Sequence, residues 1–463
     1  MLSKEITGYL RAHRDEQLEQ LFELLRFASV SSQSRHDGDC LACVERIAEH
    51  LRGLGFSAEL RPWRRHPILL ARRACGRPAG RLLIYGHYDV QPPEPLEQWQ
   101  TPPFEPVIRD GRIYARGASD DKGQFFAHVK AVEAILATSG ELPLEVIFLV
   151  EGEEEIGSPE LEQFVTAAAA DLAADYAVVS DSEFFAAGLP TLTYGLRGLA
   201  YVELTLSGPR EDLHSGIHGG AAVNPLNAVA RMVSGMHDER GRVTLPGFYD
   251  DVVELTAAER RAWAELPFDK AAYAAAIGAD PAGGERGLPV LERRWARPTL
   301  DCNGIVGGYQ GEGAKTVIPA AATAKISMRL VPNQRPEKAV ESFERYVAEN
   351  TPAGVRASVK VSAQARPVLT ALDSPAVAAA RQALKDAFGA EVAMVRNGAS
   401  VPITELIQRV LKVDPILMGF GLPEDNLHAP NERFRLEQFY GGIAASAALI
   451  VNLAELPRDA QGD

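Results

Sequence analysis

His87 and Asp89 stand two positions apart, just beyond the apolar run Leu82-Leu83-Ile84-Tyr85 that breaks at Gly86. Three further apolar runs end in a similar way. Leu144 to Val150 leads into Glu151-Gly152-Glu153-Glu154-Glu155, and Tyr176 to Val179 into Ser180-Asp181. Pro415 to Met418 leads into Gly419-Phe420-Gly421, with His428 in the loop beyond. Asp120 lies in Gly117-Ala118-Ser119-Asp120-Asp121-Lys122-Gly123, directly ahead of a helical pattern. His87, Asp120, Asp181, His428 and one glutamate of the Glu153–Glu155 run offer imidazoles and carboxylates but no thiolate. That borderline-hard donor set suits Zn2+ or Mn2+. It is too large for one catalytic ion that keeps an open position, and suits two ions about 3.5–4 Å apart that share a carboxylate and a water.

The surplus acids take roles from the same logic. Asp89 is placed to hydrogen-bond the His87 ring and fix its tautomer. A glutamate beside a ligand glutamate can accept a proton from the shared water, whose pKa the ions lower from ~15.7 toward ~7, and return it to a leaving amine. Chemistry alone leaves open which member of the glutamate run is ligand and which is base. Each residue also has a plain reading: an acid before a helix is commonly a cap, and a charge run is commonly a solvated face. The recurrence at strand ends separates this set from those readings. Like charges so placed repel unless a cation or proton intervenes.

The elements that must position these residues follow from the pattern. Short apolar runs without helical period read as buried strands, and in an open α/β sheet ligands gather outside the carboxyl ends of the strands. Ser57 to Leu60 and Ile68 to Leu70 read as further strands. Met1 to Arg26 reads as an amphipathic helix, as do Cys40 to Leu54 and about Gln124 to Thr138. Proline-rich Pro92 to Pro106 excludes regular structure. Between Asp181 and His428 the texture changes. Tyr201 to Leu206 and Thr323 to Val331 alternate as strands, Asn224 to Met236 and Pro336 to Glu349 as helices, and Val355 to Val361 closes the series. Leu245 to Ala282 is an acidic, irregular excursion, and Asp212 to Gly220 a glycine-rich loop. Strands alternating with two helices predict a small α+β domain, inserted between the third and fourth runs.

The chain has 463 residues, which predicts more than one domain. A net charge of −14 and a pI of about 5.3 argue against nucleic acid or an anionic membrane as partner. No apolar run approaches the roughly 18 residues of a spanning helix, and the N-terminus has no apolar core of a signal peptide; the expected location is the cytoplasm. Four cysteines in so long a chain make no disulfide framework. Cys40 and Cys43 share a helix face and read as packing residues.

These motifs resemble the M20 metallopeptidase family (the ArgE/DapE/carboxypeptidase G2 family). Gly86-His87-Tyr88-Asp89-Val90-Gln91-Pro92, Gly117 to Gly123 and Glu151 to Ser158 look most like its cytosolic nonspecific, carnosinase-like dipeptidase branch. Asp212 to Gly220, Gly313 to Pro319 and Arg329-Leu330-Val331-Pro332 match that branch too. The resemblance covers nearly the whole chain.

It implies a zinc-peptidase-like α/β catalytic domain over residues 1–196 and 367–463, with an inserted ferredoxin-like α+β lid and dimerisation domain over 197–366. It implies that His87 and Asp181 bind one ion, that His428 and Glu155 bind the other, and that Asp120 bridges them. Asp89 then orients His87. The family's Glu-Glu-x-Gly-Ser pattern fits only Glu154 to Ser158, making Glu154 the base and Glu153 a bystander. Asp121 supports the loop. His214 matches a lid histidine that reaches into a partner subunit's site and polarises the scissile carbonyl, an oxyanion-type role. Arg329 and Ser400 match positions that hold a substrate's C-terminal carboxylate, and Thr316 and Asn224 match lesser lid contacts.

The expected activity is hydrolysis of dipeptides or short peptides with a free C-terminus by a homodimer with two ions per subunit. An N-acyl-amino-acid amidohydrolase is the alternative within the family, and a non-catalytic peptide-binding homologue the alternative outside it.

Overall fold

All four apolar runs become neighbouring parallel strands of one sheet. In the computed structural model, which describes residues 2–76 and 79–457, strand Arg81–His87 lies between Glu145–Glu151 and Tyr176–Val179, parallel to both. Pro415–Leu417 continues the parallel order beside Tyr176–Val179. Their carboxyl ends therefore emerge along one edge. Ile68–Arg73 and Ser57–Arg61 extend the sheet antiparallel on one side, and Thr191–Leu196 on the other. The four strands are buried on both faces, which is why they read as continuous apolar runs rather than alternating ones.

Helices Asp37–Gly53, Lys122–Ser139, Pro375–Phe388 and Leu436–Ala454 contribute to the core that covers this sheet. Lys122–Ser139 is buried almost throughout its first fourteen residues. Its Phe125 ring presses on Gly86, where a Cβ would lie 2.4 Å from the ring. A glycine just before His87 is thus a packing requirement, and overpacking of this kind costs roughly 1–3 kcal/mol.

The single N-terminal helix expected up to Arg26 is two helices, Lys4–Ala12 and Arg14–Leu25. His13 breaks them: its ring stacks on Tyr9 at 3.9 Å and its Nδ1 bonds the Tyr9 carbonyl at 2.9 Å, while its backbone leaves helical geometry. Cys40 and Cys43 are buried and unpaired in the core. Among the described residues no helix is long and apolar enough to cross a membrane.

The chain divides into two compact units. The first comprises Met1–Tyr194, Thr370–Val395 and Val401–Asp463; the second comprises Gly195–Leu369 together with Arg396–Ser400. The second unit has four antiparallel strands in the order Thr299–Gly307, Ala321–Leu330, Gly198–Ser207, Arg356–Ala365. With helices Pro225–Gly235 and Pro336–Asn350, the chain order is βαββαβ, a ferredoxin-like arrangement. Alternate residues of Gly198–Ser207 (Ala200, Val202, Leu204, Leu206) pack with Val229 and Met232 of one helix and Val340 and Phe343 of the other. The edge strand Thr299–Gly307 has no counterpart in the sequence reading. It is mostly exposed on both faces, so no alternation marks it.

Candidate active site

Every side chain expected to bind an ion lies in the first unit, at or beyond the carboxyl ends of the parallel strands or at the start of Lys122–Ser139. His87, Asp120 and Asp181 can each offer one ligand atom within 4.8 Å of the others; so can Asp120, Glu155 and His428. Asp120 is common to both groups. His87 Nε2 lies 3.2 Å from Asp120 Oδ1, while His428 Nε2 lies 2.9 Å from Asp120 Oδ2 and 3.3 Å from Glu155 Oε2. Atoms bonded to one ion at ~2.0–2.2 Å stand no more than about 4.4 Å apart, so both clusters are close to coordination size.

The electrostatics fit cations. The His87 Nδ1 sits 3.1 Å from the Asp89 carbonyl and 3.4 Å from its carboxylate, which directs the proton to Nδ1. The lone pair of Nε2 then faces Asp120, and this fully buried atom has no hydrogen-bond partner. A neutral imidazole turned toward a carboxylate is repulsive; a divalent ion between them removes the conflict. The acids show the same frustration. Burial, then Asp120, push Asp181 up to about 6 and Glu155 up to about 9. Burial also holds Glu154 well above the ordinary carboxylate range, with Asp181, Asp120 and Glu155 adding to it and His87 opposing. Burial works to raise Asp120 as well, yet its hydrogen bond with His428 and the nearby His87 ring outweigh it and hold the group below its usual value. Divalent ions would let all of these acids ionise together.

The supporting residues are as specific. Asp89 does more than face His87: its Oδ1 and Oδ2 accept the backbone N–H of Glu154 (3.3 Å) and Glu155 (3.1 Å). One aspartate therefore ties the first strand end to the glutamate loop. Glu153 turns the other way and is buried, its Oε1 accepting from the amides of Arg65 (3.1 Å) and His66 (3.3 Å). It is a tether for the 62–67 loop. The side chain of Glu154 has no hydrogen bond among the described residues. Gly152 packs against Tyr88, whose ring would lie 2.2 Å from a Cβ there. Asp121 Oδ2 accepts from the His87 amide at 3.3 Å. His428 has φ +59°, a conformation that side chains other than glycine seldom adopt without local compensation.

Three supporting residues were not assigned from the sequence. Buried Glu432 accepts from the amides of Gly117 (3.0 Å), Ser119 (2.9 Å) and Asp120 (3.1 Å), and from Arg116 Nη1 (2.7 Å). It holds the Asp120 turn in place. Asp425 accepts from Ser119 Oγ at 2.9 Å. Gln91 donates to Glu155 Oε2 at 2.8 Å. Gln91 lies inside a motif already singled out; nothing in the local pattern distinguishes Glu432 or Asp425 from surface acids.

The remaining expected residues lie in the second unit. Arg329 Nη1 donates to Ser400 Oγ at 3.0 Å, and that hydroxyl donates to the Arg197 carbonyl at 2.5 Å. His214 and Val317 are backbone partners in a short ladder, and Ser215 N bonds the Thr316 carbonyl at 3.1 Å. The exposed His214 accepts from Gly216 N at Nδ1 (3.0 Å), which assigns its proton to Nε2 and makes that edge a donor. Asn224 caps Pro225–Gly235, its Oδ1 accepting from Leu226 N at 2.9 Å; only its amide NH2 is left for a ligand.

The model of peptidase family M20/M25/M40 matches residues 83–452, a span that contains both clusters. The chain belongs to this family. Among curated M20 relatives, the human Beta-Ala-His dipeptidase is 29% identical, the match covering 98% of this chain and 93% of the relative. The Cys-Gly metallodipeptidase dug1 of Schizosaccharomyces pombe is 30% identical over 96% of both chains. Among solved structures, the M20 family metallo-carboxypeptidase Sso-CP2 from Sulfolobus solfataricus superposes with a TM-score of 0.85 at 32% identity, covering 95% of this chain and 100% of that one.

Proposed function

We propose that this M20 protein is a dinuclear-metal dipeptidase that hydrolyses the peptide bond of dipeptides or short peptides bearing a free C-terminal carboxylate. The observation that carries this reading is the pair of ligand clusters sharing Asp120, with Glu154 beside them and its side chain without a hydrogen bond among the described residues. His87 and Asp181 would hold one ion, His428 and Glu155 the other, and Asp120 both. Bound there, Zn2+ or Mn2+ would supply Lewis acidity that activates water and polarises a carbonyl.

The chain's own residues do the rest. Glu154 takes the proton of the attacking water and delivers it to the departing amine. Asp89 holds His87 in the Nδ1–H tautomer and keeps Glu154 and Glu155 in register through their amides. Arg329 and Ser400 take the terminal carboxylate, with Thr316 and Asn224 as lesser contacts. His214, with its proton on Nε2, stabilises the developing oxyanion in the site of a second copy. The same reading makes residues 197–366 a lid through which the chain forms a homodimer, and places the protein in the cytoplasm.

The test is a panel assayed after chelation and after adding back Zn2+ or Mn2+ singly. It contains β-alanyl-histidine, cysteinylglycine, other unblocked dipeptides, tripeptides and N-acyl amino acids. Cleavage of unblocked dipeptides restored by one ion supports the proposal. Cleavage confined to N-acyl amino acids moves the chain to the amidohydrolases of the family, and binding of dipeptides without cleavage to a non-catalytic role. The Sso-CP2 likeness favours a second reading, release of C-terminal residues from longer peptides; tripeptides cleaved better than dipeptides would select it.

A further inference from the structure

Three arginines of the second unit, Arg197, Arg294 and Arg329, gather around the segment that carries Ser400. Asp301 is a counter-charge to Arg197 and Arg329. Burial, and then repulsion from Arg329, bring the Arg197 guanidinium down to about 10, with Asp301 pulling the other way and Arg294 adding to the repulsion. Arg329 is lowered too, by burial, with Asp301 opposing. Such an under-neutralised cluster favours an anion. Arg329 has an assigned partner for that anion in the proposed function; Arg197 has no role there.

The geometry of Arg197 gives it one. Its Nε donates to the Gly398 carbonyl at 3.2 Å, and its backbone N–H donates to the Ala399 carbonyl at 3.1 Å. Its own carbonyl receives the Ser400 hydroxyl at 2.5 Å. Gly398 is packed tightly against the guanidinium: a Cβ there would lie 2.9 Å from Arg197 Nη2 and 3.2 Å from the Arg294 carbonyl. One residue thus grips three consecutive positions of the 398–400 segment. The Ser400 hydroxyl, its proton committed to the Arg197 carbonyl, is left as an acceptor for Arg329 Nη1 at 3.0 Å.

We propose that Arg197 is the positioning residue for recognition of the substrate's terminal carboxylate: by clamping Gly398, Ala399 and Ser400 it fixes the Ser400 hydroxyl against Arg329. It acts through those groups and touches no reacting atom. The inference rests on the proposed role of Arg329 and Ser400. Because the backbone bonds of Arg197 survive side-chain replacement, the side chain's own share is the Gly398 clamp and a second half-buried cation.

The experiment compares the best-cleaved unblocked dipeptide with its C-terminal amide in the metal-loaded wild type, Arg197→Met and Arg197→Lys. The expected result is a wild type that prefers the free acid in kcat/KM, and an Arg197→Met variant whose KM for the acid rises about 2–10-fold with kcat little changed, comparable to losing the Ser400 hydroxyl that it positions. The amide should be cleaved nearly as by wild type, and Arg197→Lys, which keeps a cation and a donor but not the fork, should fall between. A general packing role would instead depress both substrates alike. Equal losses on acid and amide, or no loss on either, overturn the inference while leaving the Arg329 reading intact. A wild type indifferent to the terminal carboxylate overturns both. Should Arg197→Met fail to fold, Arg197→Lys decides alone: an acid-to-amide preference reduced by several-fold sustains the clamp, and an unchanged one refutes it.

Discussion

The ligand clusters of the first unit and the arginine cluster of the second are opposites in charge and in construction. In the first, acids crowd together, and Glu154, Glu155 and Asp181 are held above their ordinary range. In the second, guanidiniums crowd together, and Arg197 and Arg329 are held below theirs. Each region disfavours its own charge, which is the basis for proposing a divalent cation in one case and a carboxylate in the other. The construction differs as well. The acids sit where parallel strands end, so that a few glycines and backbone amides place them. Arg329 lies within an antiparallel strand, while Ser400 arrives from a segment 71 positions away in sequence. The acids and imidazoles are delivered by strand ends and the loops beyond them, whereas Arg329 meets Ser400 from within a strand.

The comparison is most easily broken at Asp120. If it serves both clusters, Asp120→Asn removes a ligand from each: bound metal should fall from two equivalents toward none by elemental analysis, and activity by about 10³-fold or more. Loss of only one equivalent would show that the clusters do not share it. Glu154→Gln separates ligand from base. It should retain its metal and lose about 10²–10⁴-fold in kcat; a variant that also lost an ion would exchange the roles given to Glu154 and Glu155. In the second unit the cost should appear in binding. Arg329→Ala is expected to raise KM for free dipeptides by about 10–100-fold with metal content unchanged. An altered metal content would dissolve the division of labour. Smallest is Ser400→Ala, which removes one hydroxyl from Arg329 and should cost about 2–10-fold in KM, the worth of a single hydrogen bond of ~0.5–1.5 kcal/mol. An effect as large as that of Arg329→Ala would place Ser400 on the carboxylate itself.

Legibility in the sequence follows the same division. The strands behind His87, Glu151 and Asp181 could be read because burial on both faces makes them uninterrupted apolar runs. The second-unit strands Gly198–Ser207 and Ala321–Leu330 could be read because one buried face makes them alternate. The edge strand Thr299–Gly307, exposed on both faces, carries neither signal. His13 divides the N-terminal helix through a bond to Tyr9 that helical periodicity does not register. Glu153 looks like its two neighbours in a charge run, yet it turns to the amides of Arg65 and His66. Glu432 looks like a loop acid, yet it is buried under the Asp120 turn.

By itself the sequence determined the fold class, the family, and the residue types that crowd at four strand ends, because these depend on local period and on short motifs. Only the tertiary structure decided which acids face one another, which glutamate of the run turns away, and how Arg197, Arg329 and the 398–400 segment come together. Those are consequences of chain closure over long separations, where burial and hydrogen-bond geometry, rather than residue type, assign each charge its partner.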